Sequence, residues 1–561
     1  MTLWRPLPIL KQCDMKRYVF LIILLFIQII SFCQYRIDWQ NCYGTIHQDY
    51  VGGIVETDDG FILEGDIINT AYTWSTGILL KINSEGDTIW QTTYDKILDL
   101  CRIHNSDYII MYPDTLLYPG TYFGNIGLRR IDADGNTIWE KAYGNEFGMT
   151  GGNFRGCATS DGGYVGCSSY CYAGGDISHY WGGTADVWVI RVDGNGDKVW
   201  ETSVGTTGCE FVNSIQQTED GGFLMAITNI VPGTGNMMCE EHQKVNGIPY
   251  LVKLDPNGNV EWSFCYGSDH YYTSINGVIV LEDGYLLYGE TRADDGDFEG
   301  AGYHLGYHAG MPTHSRLTDA YLMKTDFDFN IIWCKCYGGR GDDFPTKVFQ
   351  NDDGGFTVFA ATKSIDGDVQ SYNRLPYNPH YYIGLVTYVS WIFRVDHNGE
   401  LLWERVTGGN YDFAQTYPCD VIKHNDKEYT VASQMTHYEP GWETYDINCP
   451  YNANMPGSGI NFWVYHITDI FDYDNVGEIE DNKNVVSLEI HPNPANNILN
   501  ISFSDDNECE FVKIYSIDGR LLLSQNDNFE TINLANLTPG LYLIKLRMSD
   551  GSEFIERIIK E

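Results

Sequence analysis

Basic residues are scarce in this chain of 561 residues. Lysine and arginine number 35 against 76 aspartates and glutamates, which gives a formal net charge of −41. Such an excess of negative charge repels phosphate backbones and anionic lipid headgroups, so the composition argues against nucleic acid as a partner. Charged residues make up only 20% of the chain and hydrophobic residues 43%, which argues against a disordered chain and leaves ample material for a core.

A membrane-spanning hydrophobic run is also missing. The apolar segment at 18–32 follows two basic residues and is too short to span a bilayer comfortably. We therefore expect residues 1–34 to be a signal peptide that is removed, with Met15 as an alternative true start. No transmembrane segment is expected in the mature protein. A lipoprotein anchor at Cys33 is the alternative, although a bulky phenylalanine precedes it where a lipobox needs a small residue.

Tryptophan marks an internal repeat. Seven tryptophans stand 49 to 71 residues apart, each within a similar phrase. In the clearest copy, 213–267, Asp-Gly-Gly and Asn-Gly turns separate four short runs of β-forming residues, because glycine and asparagine accept the positive φ that hairpins need. The pattern predicts an all-β fold, a seven-bladed β-propeller over residues 35–470. The seven tryptophans are Trp39, Trp90, Trp139, Trp200, Trp262, Trp333 and Trp403.

The two ends of the repeat region complement each other. The last copy has three strands and lacks a tryptophan strand, whereas the region begins with one, at 35–44 around Trp39. We therefore expect the N-terminal strand to complete the last blade, which removes exposed sheet edges. A solenoid is the alternative, and it would leave Trp39 without a partner strand.

The repeats resemble the secreted propeller repeats common in Bacteroidetes. The resemblance rests on the phrases DGGF, KLDPNGNVEW and CYGG, and it covers residues 35 to about 470. It implies an exported propeller, in agreement with the strand pattern, and it assigns no ligand.

The cysteine count does not fit a complete disulfide framework. Two of the 15 cysteines lie in the predicted signal segment, and the remaining 13 are an odd number, so at least one thiol is free. Candidate bridges within a repeat are Cys209–Cys239 and Cys419–Cys449. Three cysteines that follow repeat tryptophans are expected to be small core residues, Cys42, Cys265 and Cys336.

The C-terminal part is a separate module. An acidic, asparagine-rich linker at 471–484 precedes alternating apolar strands and turns at 485–561, which predict a small Ig-like β-sandwich. Its phrases resemble the type IX secretion sorting domain, with an adhesive Ig-like module as the alternative. The resemblance implies the type IX machinery as a partner and a secreted or outer-surface location, after a Sec signal. The residues that carry it are Pro492, Asn493, Pro494, Gly519, Gly540 and Tyr542.

Long insertions indicate where a ligand could bind. They fall between the second and third strands of the repeats, and in a propeller these connections emerge on one face, where loops on a rigid scaffold carry sites. Aromatic side chains there would suit stacking on sugars or anchoring of protein ligands, and mutual packing of the loops is the alternative. The candidates are Trp74, Trp181, Trp442, Tyr303, Tyr307, Tyr381 and Tyr382.

Metal and catalytic signatures are weak. His304, His308 and His314 have no known metal-site spacing, and the carboxylates at 294–297 and 342–343 suit calcium but form no EF-hand. Because no catalytic motif occurs, we assign no catalytic residue and no cofactor besides calcium.

The sequence favours a surface-displayed binding or structural module for a glycan or protein. The alternative is an extracellular carbohydrate-active enzyme, a glycosidase or lyase, with acidic residues around the central channel. Carboxylates about 5 to 10 Å apart there would favour the enzyme.

Overall fold

A computed structural model of the chain shows an all-β protein. The described residues include no α-helix, and a 3-10 turn spans Gly296–Phe298. No helix in the described part of the chain is long and apolar enough to cross a membrane. The described residues are 35–44, 48–68, 75–94, 96–103, 106–114, 125–145, 154–231, 233–237, 239, 247–305, 317–371, 388–408, 416–437, 459–469, 488–491, 496–503, 509–516, 521–525, 529, 531–538, 540–548 and 553–560.

Twenty-eight strands form the larger of two compact units, Ile37–Ile467. They are β1 (Tyr35–Tyr43), β2 (Gln48–Glu56), β3 (Gly60–Ile68), β4 (Ser75–Asn83), β5 (Thr88–Tyr94), β6 (Asp99–Arg102), β7 (Tyr108–Asp114), β8 (Asn125–Ile131), β9 (Thr137–Tyr143), β10 (Arg155–Ala158), β11 (Tyr164–Tyr170), β12 (Asp186–Val192), β13 (Lys198–Val204), β14 (Cys209–Gln217), β15 (Phe223–Val231), β16 (Ile248–Leu254), β17 (Val260–Cys265), β18 (Thr273–Val280), β19 (Tyr285–Thr291), β20 (Asp319–Thr325), β21 (Ile331–Tyr337), β22 (Asp343–Gln350), β23 (Phe356–Thr362), β24 (Val389–Val395), β25 (Leu401–Thr407), β26 (Thr416–Asn425), β27 (Glu428–His437) and β28 (Gly459–Asp469).

Consecutive strands pair in groups of four, which we call repeat units and number in chain order from β2. Five separate antiparallel sheets comprise β6–β9, β10–β13, β14–β17, β18–β21 and β22–β25. The remaining strands form one eight-stranded sheet, in which a parallel bridge between Gln48 and Ile460 joins β2–β5 to β26–β28. In that sheet β1 pairs with β28, so the predicted pairing of the N-terminal strand with the last repeat is observed.

A buried tryptophan supports the equivalence of β1 to a fourth strand. In the third unit, the Trp188 indole N–H donates to Glu201, the residue after the fourth-strand tryptophan, at 2.8 Å. In the last unit, the Trp463 indole donates to Gln40 at 3.0 Å, and Gln40 follows Trp39 in β1. Trp188 and Trp463 are both fully buried. The N-terminal strand therefore makes the same contact that a fourth strand makes elsewhere.

The first strands of the units contact one another in order. β2 contacts β6, β6 contacts β10, and the series continues through β14, β18, β22 and β26. β26 in turn contacts β2, so the series returns to its start. Second and third strands are buried on both faces, as in β23 and β24, because each sheet packs between its neighbours. Separate four-stranded antiparallel sheets in cyclic contact define a propeller-like architecture.

In the second, third and fifth units, the repeated tryptophan donates a hydrogen bond to the next unit. The Trp200 indole N–H donates to the Pro256 carbonyl at 3.0 Å, in the turn between the third and fourth strands of the following unit. Trp139 and Gly194, and Trp333 and His397, repeat this contact at 3.0 and 3.1 Å. A β-carbon on Gly258 in this turn would lie 2.7 Å from the Trp200 ring, so glycine permits the close packing.

The smaller unit includes Thr468–Glu561 and has two sheets. One sheet has the order β29–β30–β33 and the other β32–β31–β34–β35. Apolar side chains from both, such as Ile501 and Ile544, share one buried core. The strands are β29 (Leu488–His491), β30 (Ile498–Phe503), β31 (Cys509–Ser516), β32 (Leu521–Gln525), β33 (Thr531–Asn533), β34 (Gly540–Met548) and β35 (Glu553–Lys560).

The disulfide expectations were largely wrong. Cys239 pairs with Cys265, with 5.8 Å between their α-carbons, while Cys209 and Cys419 are free thiols. Cys42 is also disulfide-bonded, so of the three expected core cysteines only Cys336 is a buried free thiol. Cys265 looked like its repeat equivalents, but the insertion between β15 and β16 brings Cys239 to it. The path of an insertion is absent from the repeat pattern.

Candidate functional site

The connections between second and third strands dock onto the preceding unit. In the third unit, Asp176 accepts the N–H of Gly144 at 3.1 Å and donates its own N–H to the Gly144 carbonyl at 2.8 Å. Gly144 follows the fourth strand of the second unit, so this clasp joins neighbouring units. The same pair of bonds joins Gly205 with Asn236, Gly267 with Asp297, and Gly338 with Asp368. We call the surface that these connections form the clasp rim.

Two of the predicted aromatic residues lie in the described part of the clasp rim. The Trp181 N–H donates to the buried Asp186 carboxylate at 2.6 Å, and its indole donates to the Ser203 carbonyl at 3.3 Å. The Tyr303 hydroxyl donates to the Leu317 carbonyl at 2.6 Å. Hydrogen bonds to strands β12 and β13 hold Trp181, and a bond within its own connection holds Tyr303. Outside the described residues lie Trp74, Trp442, Tyr307, Tyr381 and Tyr382.

Buried acids anchor the Trp181 connection. Asp186 and Glu210 lie together beneath it, and burial raises the pKa of both carboxyl groups. Asn229 donates to Glu210 at 2.8 Å, and the Thr206 hydroxyl also donates to it. The arrangement fits a pair of carboxyl groups that share a proton.

His304 is held between two carboxylates of the clasp rim. Its Nδ1 lies 3.1 Å from Asp319 and its Nε2 lies 3.9 Å from Asp368. The hydrogen bond to Asp319 raises the pKa of His304. His308 and His314 lie outside the described residues. Within the described residues, no group of three or more His, Cys, Asp or Glu side chains could hold a metal ion.

A second candidate site lies where the first strands meet. Seven first-strand residues share one register position, opposite the fourth or fifth residue of the second strand, as Gly53 pairs with Glu64 and Gly277 with Tyr288. At these two glycines, the longer second-strand side chain occupies the vacant space. The seven residues are Gly53, Asp99, Arg155, Ser214, Gly277, Lys347 and Asp420.

We call Glu64, Asp99, Arg155, Tyr288, Lys347 and Asp420 the central cluster. Lys347 Nζ lies 2.9 Å from the Asp420 carboxylate, and this pair joins the sixth and seventh units. Asp99 accepts a hydrogen bond from the Tyr164 hydroxyl at 2.9 Å. The Lys347 side chain keeps 40% of its surface exposed, so solvent reaches the central cluster at this residue.

The carboxyl groups of Glu64 and Asp99 in the central cluster differ in pKa. Burial, followed by repulsion from Asp99, Asp66 and Asp420, raises the pKa of Glu64 to about 8. Burial raises the pKa of Asp99 to about 6, against the influence of Arg155. The Asp420 carboxylate raises the pKa of Lys347. At neutral pH the cluster therefore contains a protonated carboxyl group beside ionised partners, a combination typical of acid–base sites.

The sequence did not single out the central cluster. Its residues belong to six repeats, and no spacing along the chain relates them. One signal was available, because Gly52-Gly53 and Gly277 interrupt first strands while Glu64 and Tyr288 stand at the same place in the following strands. Such a glycine opposite a long polar residue indicates a side chain that reaches across it.

The fold and the tail define the class of this protein, a propeller-like all-β protein with a sorting domain. Residues 489–561 match the family described as the secretion system C-terminal sorting domain, and the chain thus carries a type IX sorting tail for export to the cell surface or the medium. Gly540 begins β34, and the buried Tyr542 donates to the Thr538 carbonyl at 2.6 Å. Outside the described residues lie Pro492, Asn493, Pro494 and Gly519.

Solved structures resemble the chain in outline. A protein of unknown function from Dyadobacter fermentans is 9% identical, with a TM-score of 0.36 over 78% of this chain and 99% of that one. The β-propeller domain of the Trilobed protease from Pyrococcus furiosus is 8% identical, with a TM-score of 0.38 and the same coverage. No curated protein sequence matches the chain. Matches this remote say nothing about what the chain binds.

Proposed function

We propose that this chain is a surface-displayed seven-bladed β-propeller that holds an extracellular glycan or protein on its clasp rim. Residues 1–34 act as the signal peptide, 35–470 form the propeller, 471–484 are a linker, and 485–561 form an Ig-like sorting sandwich. The contacts of the first strands support the blade count. Seven first strands contact one another in order from β2 to β26, and β26 contacts β2.

The hydrogen bonds of the clasp rim are the observation that supports this proposal. Four successive connections fasten to the preceding unit by the same reciprocal pair of hydrogen bonds, beginning with Asp176 on Gly144. A surface fixed in this way loses little conformational entropy when a ligand binds. Trp181 supplies an aromatic face on this rim, and we propose ligand contacts for Tyr303, Trp74, Trp442, Tyr307, Tyr381 and Tyr382 as well.

A glycan array tests the proposal. The full chain is screened with calcium and with a chelator, and each hit is repeated with Trp181→Ala. Loss of the ring leaves the Trp181 N–H bond to Asp186 intact, so we expect a folded variant that binds about tenfold more weakly. Phe327→Ala is the matched control, since Phe327 is 49% exposed in the turn between β20 and β21, on the opposite rim.

Equal weakening by both variants, or by neither, would contradict a binding surface at Trp181. Binding to a host or bacterial protein instead of a glycan would identify the other ligand class. Self-association of the chain without any ligand would indicate a structural surface component. A loss of binding in chelator alone would assign calcium a role, through oxygen ligands such as those at 294–297.

An extracellular carbohydrate-active enzyme is the second candidate. The observation that favours it is the proximity of two acids in the central cluster. A β-carbon on Gly53 would lie 3.3 Å from Glu64 Oε1 and 3.6 Å from Asp420 Oδ2. Both oxygens border the same small space, since they can be no farther apart than the sum of these two distances. Carboxyl pairs in glycosidases lie roughly 5 to 9 Å apart.

A further inference from the structure

We propose that Glu64 and Asp420 form the acid–base pair of a site in the central cluster that hydrolyses a glycosidic bond. This inference rests on the second of the proposed functions, the enzymatic one. It assigns Glu64 as the proton donor, Asp420 as the base and Lys347 as the residue that positions Asp420.

Glu64 has the environment of a proton donor. The residue is only 6% exposed, and its carboxyl group has no hydrogen-bond partner among the described residues. Its two carboxyl oxygens are not among the fully enclosed unpartnered atoms of the described residues, so solvent or a ligand can reach the group. The raised pKa keeps the Glu64 proton in place at neutral pH. A ligand oxygen would supply the missing partner.

The backbone opposite Glu64 is shaped to admit this side chain. A β-carbon on Gly52 would collide with Glu64 Oε1, and one on Gly53 would lie between Glu64 and Asp420. The β2 strand carries a bulge at this point, between Val51 and Gly53. Bulges of this kind re-aim side chains and recur beside active sites.

Asp420 has a fixed position and a partner charge. Its two oxygens accept hydrogen bonds from Lys347 at 2.9 Å, from the Val421 N–H at 2.9 Å and from the Ile54 N–H at 3.3 Å. These donors come from three different units, so the carboxylate cannot turn without disturbing the contacts between units. Such preorganisation is what acid–base catalysis requires of a base.

The reaction balances with water as the only co-reactant. Glu64 donates its proton to the leaving glycosidic oxygen as the bond from that oxygen to the anomeric carbon breaks. The oxygen of water bonds to the anomeric carbon, and Asp420 accepts the proton that this water loses. The products are a free sugar and an alcohol, and solvent returns the proton from Asp420 to Glu64.

Polar groups nearby can hold the sugar. The Tyr288 hydroxyl reaches over Gly277 and has no hydrogen-bond partner among the described residues. The Arg155 side chain is exposed and donates from Nε to the Asn213 carbonyl at 2.9 Å. Hydroxyl groups of a glycan offer both donors and acceptors to this set, so the site suits a neutral or anionic glycoside.

Hydrolysis of fluorogenic glycosides by the full chain tests the assignment. The probes are the 4-methylumbelliferyl derivatives of β-glucose, β-galactose, α-mannose, α-fucose, N-acetyl-β-glucosamine and N-acetylneuraminic acid. We expect turnover of at least one probe, and a fall in kcat/KM of at least about 100-fold in Glu64→Gln and in Asp420→Asn. Glu85→Gln, in the exposed turn between β4 and β5, is the matched control and should retain full activity.

The pH profile and a second variant separate catalysis from structure. Wild-type kcat should decline above about pH 8 as Glu64 loses its proton, and Glu64→Gln should lack this limb. Gly53→Ala leaves both acids in place but fills the space between them, so it should raise KM or abolish turnover without changing the melting temperature of the larger unit.

The outcomes distinguish this assignment from the binding proposal. No turnover of any probe by the wild-type chain, or equal turnover by Glu64→Gln and wild type, overturns the acid–base pair. Neither result would affect the binding proposal. Glycan binding that depends on Trp181 tests the clasp rim, where Trp181 lies, and not the central cluster. Loss of array binding in Glu64→Gln, with no turnover by wild type, would make the central cluster a binding site only.

Discussion

Trp200 and Pro256 belong to different repeats, and the indole N–H of Trp200 donates to the Pro256 carbonyl at 3.0 Å. The periodic tryptophan is therefore a contact between units as well as a core residue. Its ring also packs against Phe223 of the following unit, with 5.7 Å between ring centroids.

Trp200→Phe should remove the hydrogen bond and keep most of the packing. We expect the free energy of unfolding to fall by about 1 kcal/mol, and by about 3 kcal/mol for Trp200→Ala. Urea unfolding followed by circular dichroism measures both. Val199→Ala is the control, since Val199 is 52% exposed beside Trp200 and should change stability little. Equal effects of the three variants would contradict the contact.

Gly258 and Gly162 form a matched pair of turn glycines. Their φ angles are +86° and +85°, so alanine strains the backbone of each by about 1 to 2 kcal/mol. A β-carbon on Gly258 would also lie 2.7 Å from the Trp200 ring, whereas one on Gly162 meets nothing within 4 Å. Gly258→Ala should therefore lower the melting temperature more than Gly162→Ala. A reversed order would show that the turn can move away from the ring.

The Cys239–Cys265 bridge should stabilise the larger unit. It closes a loop of 26 residues, for which the loss of chain entropy in the unfolded state predicts about 3 kcal/mol. Cys239→Ser should lower the unfolding midpoint, and Cys209→Ser, at a free thiol, should not. Peptide mapping without reduction identifies the bridge directly, and a Cys209–Cys239 peptide in that map would refute the assignment.

Glu64 should make stability depend on pH. Its pKa is about 8 in the folded chain against 4.5 as a free side chain, so between these values the folded state binds more protons than the unfolded state. The contribution of this group is fully present below about pH 4.5 and is lost as the pH rises through about 8. Unfolding free energies at pH 5 to 9 should decline less steeply for Glu64→Gln than for wild type, by up to about 1.4 kcal/mol per pH unit. Equal pH dependence of the unfolding free energy in the two proteins would show that the Glu64 carboxylate is solvated in the folded chain.

Repeat periodicity predicted the sheets well because each repeat encodes its own turns and strands. Asp220-Gly-Gly222 and Asn257-Gly258 fix two hairpins locally, and the observed β14–β17 sheet follows them. The same local logic predicted that Trp39 would join the last repeat.

The central cluster could not be predicted in this way. Glu64 and Asp420 lie 356 residues apart in sequence, and only the contact between the first and seventh units brings them together. The Cys239–Cys265 bridge was missed for a related reason, since the course of a long insertion depends on packing that no local pattern records.

The pairing of β1 with β28 also sets an order of assembly. The strand that leaves the ribosome first in this region waits for the one that leaves last, because its hydrogen-bonding partner comes more than 400 residues later. A chain cut short before Gly459 would therefore present an unpaired N-terminal strand, a feature that chaperones and proteases recognise. In an exported protein, this region can therefore complete its fold only when both of its ends are on the same side of the membrane.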